Sequence, residues 1–350
     1  MTPPVAIFRA DASAEIGTGH VIRCRTLAGA LATRGWSTVL AAREIPDALA
    51  VSWPGGESAV VRLPEDGGLE QDLPRVAAQL GRDPNLVVGD RYGLDAAWVE
   101  ALRRDAPGAV VMAIDDLADR PLPVDILLNQ NLGTTAEMYA GLAPSHTRVL
   151  AGPTFALVRP EFAALRDRGR VRDGRIERVL VFMSGSDRPD VTARATTALA
   201  AVDLPFDVVV GVSYAHLDAL QQRIAAIPRA VLHVNTDAIA ELMDRADLAI
   251  GAPSSASWER CTLGLPTVLI TLADNQVSGG ERLELLGAAL GLGWHETVTA
   301  GDIETAVAGL CGEPDRVAAM GRAAAEVTDG HGTDRVVQEI QARVSGRMGG

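Results

Sequence analysis

The sequence RADASAEIGTGHVIRCRTLAGAL, residues Arg9 to Leu31, joins a predicted strand to a predicted helix through a glycine-rich turn. The apolar run Val5–Phe8 just before it has the length and composition of a buried strand. From Val21 onward, apolar residues recur at the spacing of a helix that packs on one face. Strands that alternate with helices in this way form parallel sheets. This stretch therefore predicts an α/β fold.

The start of the predicted helix is also a candidate site. Free N–H groups in the first helical turn and the helix dipole attract anions, and Gly17 and Gly19 let a ligand approach the backbone closely. We therefore expect a phosphorylated ligand here. Imidazole is the side chain that titrates nearest neutral pH, so His20 is a candidate general base. A purely structural histidine is the alternative interpretation.

Short apolar runs and longer helical segments alternate along the rest of the chain. The runs that we predict as strands in the first half are Val5–Phe8, Thr38–Ala41, Leu86–Val88, Val110–Ile114 and Ile126–Leu128. Those in the second half are Val179–Phe182, Phe206–Val210, Val231–Val234, Leu248–Ile250 and Thr267–Ile270. We predict two Rossmann-like α/β domains that face a central cleft, at residues 1–155 and 179–345, with a linker region at 156–178.

Composition and charge exclude several classes of function. A chain of 350 residues has room for two domains, and its formal net charge of -13 argues against nucleic-acid or anionic membrane partners. There is no long apolar run or signal-peptide pattern, so we expect a cytoplasmic protein. Cys24, Cys261 and Cys311 lie far apart and there is no zinc-binding motif, so we expect no metal and no cofactor. Our default for the oligomeric state is a monomer.

Two turns in the second half repeat the strand, turn and helix pattern. Met183–Asp187 reads MSGSD, and Gly251–Pro266 reads GAPSSASWERCTLGLP. Their small residues leave room for a pyrophosphate at a helix start. A carboxylate in the first helical turns, such as Glu259, can accept hydrogen bonds from both ribose hydroxyls. Simple capping of each helix is the alternative.

Seven motifs, in order along nearly the whole chain, resemble the UDP-2,4-diacetamido-2,4,6-trideoxy-β-L-altropyranose hydrolases of pseudaminic acid biosynthesis. The motifs are RADASAEIGTGHVIRC (Arg9–Cys24), VVGDRYGLDAAW (Val87–Trp98), IDDLADRP (Ile114–Pro121), DILLNQN (Asp125–Asn131), LVRPEF (Leu157–Phe162), SGSD (Ser184–Asp187) and SWERCTLGLP through ADNQ (Ser257–Gln276). The resemblance implies the GT-B fold, a relationship to the N-acetylglucosaminyltransferase of peptidoglycan synthesis, and a UDP-sugar as substrate. It also implies a place in a pathway that serves flagellin glycosylation.

The resemblance further implies a mechanism. In this family water attacks the anomeric carbon with inversion, and the histidine of the GxGH motif activates the water, which here is His20. Asp11 would orient His20 or the water. Among the implied substrate-binding residues, Tyr92 and Asn275 would lie at the sugar, and Gly17 and Gly19 in the glycine-rich turn. Ser186 and Ser255 would contact the diphosphate, and Glu259 would bind the ribose.

Two departures and two alternatives stay open. Gly251–Ala256 reads GAPSSA where many family members read GAGGST, and Met183–Gly185 replaces a run of glycines. The substrate can therefore be a sister sugar of different configuration or acyl groups. A GT-B glycosyltransferase, which delivers the sugar to a hydroxyl acceptor, is one alternative function. A nucleotide-sugar-binding module without turnover is the other.

Overall fold

The computed structural model describes the chain except for residues 1, 14, 65–71, 73–75, 78–79, 184–186, 212–213 and 349–350. The chain divides into two compact units. The first comprises residues 1–157 and 331–350, and the second comprises residues 158–330. None of the described helices is both long enough and apolar enough to span a membrane.

Strands and helices alternate in both units. The described strands are β1 Val5–Ala10, β2 Ser37–Ala42, β3 Val60–Arg62, β4 Leu86–Asp90, β5 Val110–Ile114, β6 Ile126–Asn129, β7 Arg148–Ala151, β8 Val179–Phe182, β9 Phe206–Val210, β10 Ala230–Val234, β11 Leu248–Gly251, β12 Thr267–Thr271 and β13 Ala289–Trp294. The described helices are α1 Gly19–Ala32, α2 Asp47–Val51, α3 Ala96–Asp105, α4 Pro160–Asp167, α5 Val191–Val202, α6 Leu217–Ala225, α7 Ile239–Arg245, α8 Ala256–Thr262, α9 Val277–Leu285, α10 Ala300–Cys311, α11 Pro314–Val327 and α12 Gly332–Met348.

The sheet of the first unit is parallel and has the order β3-β2-β1-β4-β5-β6-β7. Alternate residues of β1 enter two different cores: Ala6 and Phe8 pack on one face of the sheet, and Val5 and Ile7 on the other. Helices therefore cover both faces of the central strands. This two-sided burial explains why these strands are continuous apolar runs in the sequence.

The sheet of the second unit is also parallel, with the order β10-β9-β8-β11-β12-β13. Its core joins apolar residues of the central strands to residues of the covering helices, among them Val181, Phe206, Ile250 and Leu199. Each unit is therefore a Rossmann-like α/β domain, as the alternation of apolar runs predicted. That the two domains face a central cleft remains a prediction.

The boundaries of the two units depart from the predicted division at two elements. Helix α12 carries Val336, Ile340 and Val344 into the core of the first unit, so residues 331–345 belong there by their contacts and not to the second domain. Helix α4 falls in the predicted linker, yet its Phe162 is fully buried within the second unit. Both departures arise because an apolar helix face is stable only where another element covers it.

Candidate active site

The turn between β1 and α1 is held by its own backbone. Gly17 has φ +81°, a conformation that favours glycine, and its N–H donates to the Ser13 carbonyl at 2.9 Å. No side chain in the described part of the turn caps the first turn of α1, which also has no acidic residue. At both Gly17 and Gly19, no described atom beyond the neighbouring backbone lies within 4 Å of where a Cβ would be. The helix start is thus free of side-chain capping, as an anion-binding turn requires.

His20 contacts a carboxylate from a neighbouring strand. Strand β4 pairs with β1, and its last residue, Asp90, lies beside Ala10, so that it reaches the start of α1. The distance from His20 Nδ1 to Asp90 Oδ1 is 2.7 Å. Because a carboxylate only accepts, this contact places the proton of the neutral ring on Nδ1 and leaves a lone pair on Nε2. The His20 side chain is 11% exposed, so the ring is held but reachable.

Arg23 links this histidine–aspartate pair to a second carboxylate. It lies three residues after His20 on the same face of α1. Its Nε and Nη2 donate to the two oxygens of Asp90, both at 2.6 Å, and its Nη1 and Nη2 donate to the two oxygens of Asp116 at 3.0 and 2.8 Å. Asn131 Nδ2 also donates to Asp116, at 3.1 Å. One guanidinium therefore fixes two carboxylates in a plane.

These charges keep Asp90 ionised. Burial acts to raise the pKa of Asp90, but the Arg23 guanidinium and His20 outweigh it and hold that pKa well below its usual value. Burial likewise acts to lower the pKa of Arg23, and Asp116 and Asp90 raise it well above its usual value. Asp90 therefore remains an acceptor for the Nδ1 proton. A buried carboxylate in this position fixes the orientation of an imidazole and stabilises the imidazolium that forms when the ring takes up a proton.

Tyr92 lies next to the same imidazole. Its ring centroid is 5.2 Å from that of His20 and the two planes are nearly perpendicular, at 88°. Tyr92 is 42% exposed, an unusual fraction for a large aromatic residue in contact with a half-buried site. The two rings are therefore neighbours, and the predicted contact of Tyr92 with the sugar stays a prediction.

Asp11 contacts arginines in the described structure, and its role in orienting His20 or the water stays a prediction. Its Oδ1 lies 2.7 Å from Arg9 Nη1 and accepts the N–H of Arg43 at 2.7 Å, and Arg91 Nη1 lies 3.4 Å from Oδ2. Burial acts to raise the pKa of Asp11, but Arg9 and the other partners lower it overall. The carboxylate that orients His20 is Asp90, which belongs to the VVGDRYGLDAAW motif but was not singled out from the sequence.

Glu259 of the second unit forms an ion pair. Its Oε1 accepts from Arg159 Nε at 3.0 Å and lies 2.9 Å from Arg159 Nη2. Burial raises the pKa of Glu259 above its usual value, although Arg159 opposes that change. Ser255, immediately before α8, makes no side-chain cap bond. Arg159 is a further candidate ligand contact, and it lies within the LVRPEF motif.

The remaining predicted residues of the second unit are at turns. Ser186 lies outside the described residues, but the neighbouring Asp187 accepts the N–H groups of Val191 and Thr192 at 3.2 and 2.7 Å, the capping arrangement given above as the alternative. Asn275 is exposed in the turn Asp274–Gln276. Among the described residues, no group of three or more His, Cys, Asp or Glu side chains is placed to hold a metal ion.

Comparison with known proteins finds relatives by sequence. No protein-family model matches the chain. The chain is 26% identical to the spore coat polysaccharide biosynthesis protein SpsG of Bacillus subtilis, over 84% of this chain and 85% of that one. It is 25% identical to the UDP-2,4-diacetamido-2,4,6-trideoxy-β-L-altropyranose hydrolase of Campylobacter jejuni, over 78% of this chain and 93% of that one. The resemblance predicted from the motifs is thereby confirmed.

Solved structures agree on the fold. MurG of Acinetobacter baumannii matches with a TM-score of 0.64 at 16% identity, over 97% of this chain and 99% of that one. Phytolacca americana UGT2, complexed with UDP-2-fluoro-glucose and pterostilbene, matches with a TM-score of 0.68 at 13% identity, over 98% and 100%. The chain has a GT-B-like fold with two Rossmann-like domains.

Proposed function

We propose that this protein hydrolyses UDP-2,4-diacetamido-2,4,6-trideoxy-β-L-altropyranose to UDP and the free sugar, without a metal and with inversion at the anomeric carbon. The observation that carries the proposal is the 2.7 Å contact between His20 Nδ1 and Asp90, which leaves His20 Nε2 as the free base. The Campylobacter relative supports the more general conclusion that the chain is an enzyme acting on UDP-sugars. GT-B neighbours such as UGT2, which was solved with a UDP-sugar, support it as well.

In the proposed reaction, a water oxygen forms a bond to the anomeric carbon while His20 Nε2 takes one of its protons. The bond between that carbon and the diphosphate oxygen breaks, and its electron pair leaves with UDP. Asp90 stabilises the resulting imidazolium. Since UDP is a good leaving group, the enzyme needs no strong acid, and catalysis consists mainly of positioning the water and stabilising diphosphate charge.

The other predicted residues have proposed roles around this reaction. Gly17 and Gly19 let the substrate approach the start of α1, and Tyr92 contacts the sugar beside His20. In the second unit Ser186 and Ser255 donate to the diphosphate, Glu259 accepts from the ribose hydroxyls, and Asn275 contacts the sugar. Arg159 holds Glu259 in the orientation that this role needs.

The alternative is a glycosyltransferase that uses a donor of the UDP-N-acetylhexosamine type. Such an enzyme shares the fold and the donor, and differs in whether water or an acceptor hydroxyl attacks. The product of the reaction therefore separates the two functions. We would incubate the protein with the diacetamido substrate, EDTA and H₂¹⁸O, with UDP-N-acetylglucosamine as a parallel substrate. Label in the free sugar and none in UDP supports hydrolysis at the anomeric carbon.

The His20→Asn variant tests the base. We expect it to bind UDP as the parent does and to lose about 10²- to 10⁴-fold in rate. The matched control is His233→Asn. His233 Nε2 lies 2.7 Å from Asp207 Oδ1 in the second unit, so this substitution also removes a histidine–aspartate contact of equal length. Equal rates for His20→Asn and the parent would contradict the base assignment. If the parent releases no UDP from either donor until a hydroxyl acceptor is added, that result would favour the transferase.

A further inference from the structure

A cavity lies in the first unit, at the opposite end of the parallel strands from His20. It has a volume of about 650 Å³ and lies where three neighbouring strands begin, at Val110 of β5, at Asp125 before β6 and at His146 before β7. His20 and Asp90 lie at the other end, where β1 and β4 terminate. This volume is in the range of small-molecule sites.

Three arginines line this cavity, which we call the arginine cavity. Arg103 comes from the last turn of α3, and Arg343 and Arg347 lie one helical turn apart on α12. The one carboxylate in the lining, Asp125, is buried and accepts from Arg347 Nη2 at 2.7 Å and from Arg103 Nη2 at 3.3 Å. Its other oxygen accepts the Val111 N–H at 2.8 Å. The lining of the cavity therefore contains three positive charges and one negative charge, although the whole chain has a formal net charge of -13.

Several donors of these arginines are unused by the protein. In the part of the chain that the structure describes, the only bond of the Arg343 guanidinium is from Nη2 to the His146 carbonyl, at 2.8 Å. Arg103 bonds only through Nη2, to Asp125 and to the Pro123 carbonyl at 3.1 Å. The Nε and Nη1 groups of both residues, which line the same cavity, therefore remain available. Like charges held together in this way repel one another unless an anion lies between them.

We propose that the arginine cavity binds a small phosphorylated molecule, separately from the site at His20. Guanidinium groups present paired N–H donors that match the oxygens of a phosphate. The two uncompensated positive charges match the charge of a phosphate monoester, which is about -1.5 to -2 at pH 7, better than that of a single carboxylate. A bound phosphate bridges Arg343 on α12 to Arg103 on α3, and so ties the C-terminal helix to the rest of the first unit.

The test measures binding of inorganic phosphate to the full chain by calorimetry at low ionic strength, with acetate as the carboxylate comparison. Phosphate is expected to bind saturably, to bind more tightly than acetate, and to raise the midpoint of thermal unfolding. Arg343→Gln is expected to weaken phosphate binding about tenfold or more, since it removes a charged donor pair. Arg103→Gln, on the facing helix, is expected to do the same and keeps the test valid if the first variant folds poorly.

The matched control is Arg335→Gln. Arg335 lies on the same helix, and its Nη1 also donates to a loop carbonyl, that of Thr154 at 3.0 Å, but it does not line the arginine cavity. Phosphate affinity that is unchanged in Arg335→Gln and lost in the two cavity variants supports the proposal. Equal weakening of phosphate binding in all three variants would indicate a general effect of net charge and would overturn the proposal. Unaltered phosphate affinity in Arg343→Gln and Arg103→Gln would also overturn it.

Discussion

The substitution Asp90→Asn removes one charge from the site and keeps the shape of the side chain. In the parent, Asp90 accepts from His20 Nδ1 at 2.7 Å and from Arg23 Nε and Nη2 at 2.6 Å each. Asparagine has a single accepting oxygen and an NH₂ group that only donates. In the parent, Arg23 Nε bonds one oxygen of Asp90, and Arg23 Nη2 and His20 Nδ1 share the other. If the amide oxygen stays with Arg23 Nε, the NH₂ group lies against Arg23 Nη2 and His20 Nδ1, and Nδ1 must then accept. The ring proton moves to Nε2, which removes the lone pair that the proposed reaction needs.

The expected effect on turnover is large. The loss of a correctly oriented base predicts a fall in kcat of about 10²- to 10⁴-fold, the upper figure being that of the corresponding aspartate-to-asparagine change in serine proteases. Stability also falls, because Arg23 is buried and keeps only Asp116 as a charged partner; breaking a buried ion pair costs about 3 kcal/mol. UDP affinity is expected to be unchanged, since Asp90 is fully buried beneath His20.

Three measurements on the purified variant check this prediction: kcat for UDP release, the dissociation constant for UDP, and the free energy of unfolding in urea. Asp207→Asn is the control, because Asp207 is also buried and also accepts from a histidine and an arginine, His233 and Arg178. It should lose stability and keep its kcat. The reasoning is refuted if Asp90→Asn retains kcat within about threefold of the parent while folded, or if Asp207→Asn loses as much activity.

Three further predictions concern the same ionic groups. Arg23→Lys keeps the charge but cannot bond two carboxylates with paired donors, so we expect a loss of stability of about 2 kcal/mol and a lower kcat with an unchanged KM, measured by urea unfolding and steady-state kinetics. Because the pKa of Asp90 is lower in the folded state than in the unfolded chain, its charge stabilises the fold above about pH 4, and this contribution is lost as the pH falls through the folded-state pKa. The difference in unfolding free energy between parent and Asp90→Asn should therefore be smaller at pH 3 than at pH 5. Glu259→Gln should weaken UDP binding about tenfold in calorimetry, since a neutral amide replaces the carboxylate acceptor and leaves Arg159 with Glu161, at 3.3 Å, as its charged partner; equal UDP affinity would contradict the ribose role.

Nine of the ten strands that the sequence predicted lie in the interior of a sheet. The ten predicted runs correspond to strands in the interiors of the two sheets and to β10 at one edge. The strands it missed are β3, β7 and β13, each at the edge of a sheet in the described structure. Edge strands are covered less completely, so β3 reads VVR and β7 reads RVLA, with partly exposed positions in both. Neither is a continuous apolar run, and periodicity alone cannot separate them from loops.

The sequence predicts those parts of the candidate site whose residues are close together along the chain. The glycines and His20 are adjacent along the chain, and their placement at a helix start follows from local pattern. Asp90 is 70 positions from His20, and it reaches the imidazole only because β4 pairs with β1. A pattern of alternating strands does not reveal which strands are neighbours. For the same reason, the sequence can show that α12 has an apolar face, but it cannot show which of the two units covers that face.

Two histidine–aspartate pairs in the described part of the chain differ in their position in the fold. Their contacts have equal length, 2.7 Å, and each aspartate is buried and also bound to arginine. His233, however, projects from within the edge strand β10, and Asp207 is the second residue of β9, near the start of that strand. His20 and Asp90 lie instead where two parallel strands end and a helix begins, the edge at which open α/β sheets bind ligands. Of these two histidines, His20 is the one that lies at the start of a helix. A kcat lost with the first pair and kept with the second would assign catalysis to that placement, since the contact geometry is the same in both.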